Sequence, residues 1–210
     1  MKSVVLLSGG LDSTVCLKKA VDESAAFLAL TFDYAQKAAA REIEAAQKIC
    51  SLYSVPHRVI SLPFLANLGN CSLTGDKCEV PEFETDCADI KSLWVPNRNG
   101  LFVNVGACFA EALGCDTVVA GFNLEEARLF PDNSAGFIQA ANRALQFSTI
   151  SRVRLFSYTA HLTKKEIAAL GKAIGAPIEF TWSCYSGGEH QCGRCRSCRI
   201  TLAALAGREV

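Results

Sequence analysis

Ser8-Gly9-Gly10-Leu11-Asp12-Ser13 is the stretch that decides how this chain folds. Ahead of it, Ser3-Val4-Val5-Leu6-Leu7 is a short apolar run rich in branched side chains, the pattern of a buried strand. Behind it, Thr14 to Val21 reads as the first turns of an amphipathic helix. A strand, a Gly-Gly turn and a helix opened by Asp and Ser together form an anion cradle. Glycine allows positive φ and close approach of the backbone, and the free N–H groups at the helix start face the bound charge. The simpler readings are an N-cap at Asp12 or Ser13 and a plain turn at the glycines. The order of all six residues directly after a strand favours phosphate. A Walker A loop is excluded, because the sole Gly-Lys pair, Gly171-Lys172, is followed by Ala173 instead of Ser or Thr.

The chain has 210 residues and is 50% hydrophobic, enough for one full core. Lys plus Arg equals Asp plus Glu at 21 each, and this neutrality argues against a protein that holds long nucleic acid electrostatically. No apolar run approaches the roughly 20 residues needed to span a membrane. The first strand begins at once, without the pattern of a signal peptide, so a cytoplasmic location is expected. In that setting the 11 cysteines are expected to be reduced thiols or metal ligands.

Working outward, Ala26–Phe32 reads as a second buried strand ending at Asp33-Tyr34, and a helix is expected from about Gln36 to Tyr53. His57–Leu62 is a third strand, and this β-α-β-α-β order predicts a doubly wound, mostly parallel α/β sheet. Between Pro63 and Asn99 the periodicity disappears, which suggests a lid or mobile loop. Cys71, Cys78 and Cys87 inside it are a second, weaker metal-site candidate. Leu101–Leu113 is apolar almost all round and should be a core helix. Thr117–Gly121 is a fourth strand, 123–134 is polar and irregular, a helix covers about Gly136 to Phe147, and Arg152–Tyr158 is a fifth strand. Thr163-Lys164-Lys165-Glu166 is a capping box that opens a further helix. The expected organisation is a phosphate-binding α/β domain over 1–176 and a small cysteine module over 177–210.

That module holds Cys184, Cys192, Cys195 and Cys198, two pairs of them at C-x-x-C spacing. Four thiolates this close can enclose Zn²⁺, and a complete Cys₄ set leaves no open position, so the role is structural. Reduced thiols, an iron–sulfur cluster, and His190 in place of one Cys remain as alternatives.

Ser-Gly-Gly-x-Asp-Ser resembles the PP-loop of the ATP pyrophosphatases, or adenine nucleotide α-hydrolases, which split ATP between the α- and β-phosphates and adenylate a substrate oxygen. Together with the C-terminal Cys-x7-Cys-x2-Cys-x2-Cys, the chain resembles the 7-cyano-7-deazaguanine synthase (QueC) family of the queuosine pathway. Phe32-Asp33-Tyr34 with Gln36, Val95-Pro96-Asn97-Arg98-Asn99, Pro131-Asp132, Leu162-Thr163-Lys164 and Thr181–Tyr185 fit the same pattern, so the likeness spans nearly the whole length. It implies conversion of 7-carboxy-7-deazaguanine (or a related acid) and ammonia to the nitrile, through adenylation of the carboxylate and then of the amide. It also implies ATP, Mg²⁺ and a homodimer. Leu7, Ser8, Gly9, Gly10, Leu11, Asp12, Ser13 and Thr14 would line the ATP site, with Asp33 at ribose or a metal. Asp12, Ser13, Arg98 and Lys164 are the catalytic candidates, because charge develops on the departing pyrophosphate and cations must meet it. The bland readings are a surface ion pair for Arg98 and a solvated first-turn residue for Lys164.

Two stretches depart from the family pattern. Ala35-Gln36-Lys37-Ala38 stands for Gly-Gln-Arg-His, and Arg128-Leu129-Phe130-Pro131-Asp132-Asn133 for Ser-Gly-Tyr-Pro-Asp-Cys. These changes fall where the second substrate is expected. A relative that stops at the amide or joins another amine is therefore the alternative, ahead of a tRNA-modifying PP-loop enzyme or a zinc module that binds nucleic acid.

Overall fold

The computed structural model describes residues 2–23, 25–75, 79–83 and 91–208. Five parallel strands form one sheet in the order β3-β2-β1-β4-β5: β1 Ser3–Leu6, β2 Ala26–Asp33, β3 His57–Ser61, β4 Thr117–Val119 and β5 Arg154–Phe156. The switch in winding direction falls between β1 and β4. In open α/β sheets the crevice at the carboxyl ends of such a strand pair receives the ligand.

Alternate residues of each strand serve opposite layers, as the two-residue period of a strand requires. Val5, Leu7, Ala29 and Val119 pack under α1 (Leu11–Asp22) and α2 (Ala39–Leu52). Val4, Leu30, Phe32 and Val118 pack under α3 (Arg98–Ala112) and α5 (Ala135–Ser148). A third cluster joins Leu11 and Val15 of α1 to Ile167 and Ala168 of α6 (Lys164–Ala173) and Ala204 of α7 (Arg196–Leu205). The C-terminal helix is thus held on the domain through α6. Burying an apolar side chain of this kind contributes about 1.5–3 kcal/mol.

Several boundaries differ from the sequence expectation. Helix α1 starts at Leu11 with Gly10 as its N-cap, so Asp12 and Ser13 are first-turn residues and not caps. Helix α2 starts at Ala39, because the chain first turns at Ala35, where φ is 59°, and the Gln36 side chain binds back to the backbone. Helix α3 starts at Arg98 and is buried along one side only, through Val103, Ala107 and Ala110, while Asn104 and Cys108 are exposed. An apolar composition all round reflects here a helix that is half wet, not enclosed. The stretch 123–134 is not irregular. Asn123 caps a six-residue helix α4, Leu124–Leu129, too short to show a period, and a 3₁₀ turn follows at Pro131–Asn133. The capping box at Thr163 and Glu166 forms as read.

Within 63–99, Leu65, Cys71, Leu73, Leu93 and Val95 are buried in the core that α3 covers, and the Ser72 N–H donates to the Ser92 carbonyl at 2.8 Å. Cys78 and Cys87 of the second metal candidate lie outside the described residues.

Candidate active site and cysteine cluster

The cradle forms from its own hydrogen bonds. Ser13 Oγ accepts from the Ser8 N–H at 3.2 Å and donates to the Gly10 carbonyl at 3.1 Å, and Thr14 Oγ1 donates to the same carbonyl at 2.8 Å. Gly9 takes φ +77°, and a Cβ there would stand 2.7 Å from the Glu42 carbonyl oxygen. Gly121, two residues past β4, lets that strand end pass the helix start, since its Cβ would lie 2.6 Å from the Ser13 nitrogen. Both glycines are therefore required by close approach.

Around the cradle the fold collects side chains from distant segments. Lys164, first residue of α6, donates to Asp12 Oδ2 at 2.8 Å, and both side chains are largely buried (15% and 13% exposed). Asn123 Nδ2 donates to the same oxygen at 2.8 Å, while Asn123 Oδ1 accepts the Glu126 N–H at 2.8 Å. Asp12 Oδ1 is buried and finds no partner among the described residues. Arg98, the first residue of α3, donates to Tyr34 Oη at 3.0 Å and lies over the Tyr34 ring. Burial opposes the Arg98 charge, but Tyr34, Tyr185 and Asp132 outweigh it and hold the guanidinium protonated. Burial also pushes the Tyr34 hydroxyl up to about 12, so it stays neutral.

A cavity of about 240 Å³ opens here at the carboxyl ends of the strands. Leu7, Ser8, Ser13 and Arg98 of the candidates line it. Its walls include Phe32 stacked on Phe102 at 4.0 Å and Trp94 stacked on Phe130 at 6.0 Å. Among the described residues three carboxylates also line it: Glu42, Glu126 and Asp132. Burial raises all three above the ordinary carboxylate range; the opposing influences are the Gln36 hydrogen bond at Glu42, the Lys164 charge at Glu126 and the Arg98 charge at Asp132.

Asp33 sits at the end of β2, half-buried, and its Oδ1 accepts the Ala35 N–H at 3.0 Å; it does not line the cavity. Gly9, Gly10, Leu11, Asp12, Thr14 and Lys164 shape the cradle from behind without lining the cavity, with Leu11 and Thr14 buried. Sequence reasoning missed Glu42, Glu126, Asn123, Tyr185 and Gly121 as parts of the site. Gly121 had a signal, a glycine ending a strand beside the winding switch, and Asn123 had one as the cap of Glu125-Glu126. The others carried none.

The cysteine cluster assembles as its spacing required. The Sγ atoms of Cys184, Cys192, Cys195 and Cys198 all lie within 4.8 Å of one another. A tetrahedral Zn²⁺ with bonds of about 2.3 Å needs sulfurs about 3.8 Å apart, so the donor set fits such an ion. Backbone N–H groups support the sulfurs: Cys192 donates to Cys184 Sγ at 3.4 Å, and Cys195 to Cys192 Sγ at 3.3 Å. A hydrogen bond from the Cys198 thiol lowers Cys195 below the ordinary thiol range. His190 is exposed and outside the set. The module reaches the cradle through Trp182, whose N–H donates to the Gly9 carbonyl at 2.9 Å and whose indole donates to the Cys184 carbonyl at 2.8 Å. Tyr185, one residue past a candidate ligand, forms part of the cavity wall.

Comparison with known proteins agrees with this layout. Residues 2–208 match the family model described as queuosine biosynthesis protein QueC. The chain is 50% identical to a 7-cyano-7-deazaguanine synthase of Desulforudis audaxviator, over 95% of this chain and 94% of that protein. It is also 50% identical to one of Desulforamulus reducens, over 98% and 93%. Among solved structures it resembles the NMN synthetase of Francisella tularensis, with a TM-score of 0.52 at 17% identity, over 99% of this chain and 77% of that one. A 4-thiouridine synthetase solved with RNA and ATP gives 0.51 at 18%, over 98% of this chain and 50% of that one. At such identities the structural likeness bears on the fold alone.

Proposed function

The chain belongs to the queuosine biosynthesis protein QueC family, and from that premise we infer that it is an ATP-dependent ligase forming 7-cyano-7-deazaguanine. The observation that carries this reading is the near full-length match to synthases of that name, with an intact anion cradle opening on an aromatic-walled cavity.

In this reading the acid is 7-carboxy-7-deazaguanine and the nitrogen comes from ammonia. The carboxylate oxygen attacks the α-phosphorus of ATP, pyrophosphate leaves, and ammonia displaces AMP to give the amide. The amide oxygen is then adenylated in turn, and loss of AMP leaves the nitrile. Backbone N–H groups of Ser8 to Ser13 and the two serine hydroxyls hold the departing pyrophosphate, as a helix start favours anions. Lys164, oriented by Asp12, meets the charge that develops there, and Arg98 orients the acid. A bound Mg²⁺ would supply further charge neutralisation to the phosphates. Asp12 Oδ1, buried and without a partner, is an oxygen suited to such a cation. Cys184, Cys192, Cys195 and Cys198 would hold Zn²⁺ in a closed structural site. The Phe32–Phe102 and Trp94–Phe130 pairs offer flat faces to a fused heterocycle. A homodimer, a cytoplasmic location and the absence of a nucleic-acid partner complete the reading. Among the described residues no helix is long and apolar enough to cross a membrane.

A second reading ends at the amide. It is favoured by Phe130 and Asn133, which line the cavity where the family pattern has Tyr and Cys. Mass spectrometry of products from Mg-ATP, ammonium and 7-carboxy-7-deazaguanine separates the two. Nitrile with AMP and pyrophosphate supports the synthase, amide alone supports the second reading, and neither product refutes both.

A further inference from the structure

Making a nitrile from an acid and ammonia releases protons from nitrogen at three points. When ammonia attacks the acyl adenylate, a C–N bond forms, the C–O bond to AMP breaks, and nitrogen gives up one proton. When the amide oxygen attacks the α-phosphorus, pyrophosphate leaves and the amide nitrogen loses a second proton. When AMP departs with that oxygen, the last N–H proton goes and C≡N is complete. No electrons are transferred to or from an external carrier. Each step needs a proton acceptor beside the reacting carbon, and Lys164 and Arg98, being cations, cannot serve.

We propose that Glu126 is this acceptor, the acid–base group of the nitrogen-transfer and dehydration steps, resting on the synthase reading above. Among the described residues three carboxylates line the cavity, and hydrogen bonding separates them. Glu42 accepts from Gln36 Nε2 at 2.8 Å, and Asp132 accepts from Asn133 Nδ2 at 3.1 Å. Glu126 also lines the cavity, and among the described residues the influences on its carboxylate are burial and the charges of Lys164, Asp12, Arg196 and Arg98, with no hydrogen bond among them.

Its placement fits the task. Asn123 receives the Glu126 N–H and donates to Asp12, so one side chain ties the base to the first turn behind the phosphate cradle. The groups that face Glu126 come from every surrounding element: Asp12 of α1, Arg98 of α3, Lys164 of α6, Arg196 of α7 and the Tyr185 ring. Burial is the largest influence and raises the carboxyl above the ordinary glutamate range, while Lys164, Arg196 and Arg98 limit the rise. Burial thus makes this carboxylate a stronger base than an exposed glutamate, the direction in which general bases are tuned.

The test uses the full-length protein and the variants Glu126→Gln and Glu126→Asp, each in two assays. ATP–pyrophosphate exchange supported by the acid reads the first adenylation, which releases no nitrogen proton. Amide and nitrile formation from ammonium reads the rest, followed against pH at constant free ammonia. The expected result is that Glu126→Gln keeps exchange within about threefold but loses nitrile formation at least about 100-fold, along with the low-pH limb of the profile. Glu126→Asp, with a shorter base, recovers part of the loss. Equal loss in both assays would assign Glu126 to ATP binding or to folding, and no loss in either would remove it from the chemistry; each overturns the proposal. A wild-type protein that yields neither amide nor nitrile refutes the synthase reading itself, and that outcome is visible without any variant.

Discussion

Lys164 and Asp12, 152 residues apart, meet at 2.8 Å and join the first turn of α6 to the first turn of α1. The pair is largely buried and shares its oxygen with Asn123, so it acts as a clamp between the phosphate cradle and the far side of the domain. Removing one partner leaves the other charge buried without compensation, which is costly.

Lys164→Met is therefore expected to lower acid-dependent ATP–pyrophosphate exchange by about 100-fold, the scale of losing one donor to a developing oxyanion. A melting temperature only a few degrees lower would keep the effect in the chemistry. Exchange within about threefold of wild type would confine Lys164 to the structural clamp with Asp12 and remove it from the chemistry.

Gly9 and Gly121 make a steric prediction. An added Cβ meets backbone at 2.7 Å and 2.6 Å respectively, whereas Gly114, at positive φ like Gly9, has open space. Gly114→Ala should cost about 1–2 kcal/mol in urea unfolding, the left-handed backbone alone. Gly9→Ala and Gly121→Ala should cost more than Gly114→Ala and abolish ATP binding, because the cradle itself must move. Similar losses at all three positions would contradict the close-approach argument.

The cysteine module should carry one metal ion per chain, measured by plasma mass spectrometry. Zinc and iron distinguish the two metal readings directly. Trp182 contacts both Gly9 and Cys184, so stripping the metal with a chelator should change Trp182 emission in a Trp94→Phe background and weaken ATP binding together. Cys198→Ser should reproduce both effects. A chelated protein with unchanged emission and ATP affinity would uncouple the module from the cradle.

Thiol reactivity follows burial. Desolvation raises Cys16 to about 11 and Cys50 to about 12, and neither is accessible, whereas Cys108 on the wet side of α3 is exposed. Since the thiolate is the nucleophile, iodoacetamide at pH 8 should label Cys108 at least about 100 times faster than Cys16 or Cys50, read by peptide mapping. Comparable rates would mean that the core opens readily.

The cavity carboxylates make a stability prediction. Glu42 binds its proton more tightly folded than unfolded, so between the ordinary glutamate pKa and its raised folded value the native state holds the extra proton. Stability contributed by that proton is present at low pH and lost as pH rises through the folded value. Glu42→Gln removes the titration while its amide oxygen can still accept from Gln36. The variant should melt a few degrees higher than wild type at pH 8, at about 2–4 °C per kcal/mol, and no higher at pH 4.5. An equal shift at both pH values would rule out the buried charge as the cause.

Local spacing made the cradle, the Cys₄ cluster, the capping box at Thr163 and the parallel α/β sheet readable from the sequence by itself. Each of those is specified by residues a few positions apart, where backbone geometry alone brings donors, thiols or apolar faces together. Tertiary structure decided the rest. That Arg98 of α3 reaches Tyr34 after β2, that Lys164 and Asn123 converge on Asp12, and that Glu126 lines the cavity all depend on how the layers pack. Even α4, which presents Glu126, is only six residues long and has no period to read; its cap Asn123 is held by Asp12 across the sheet crevice. Contacts over such separations are set by which faces the core buries, a property of the assembled layers and of no single stretch of chain.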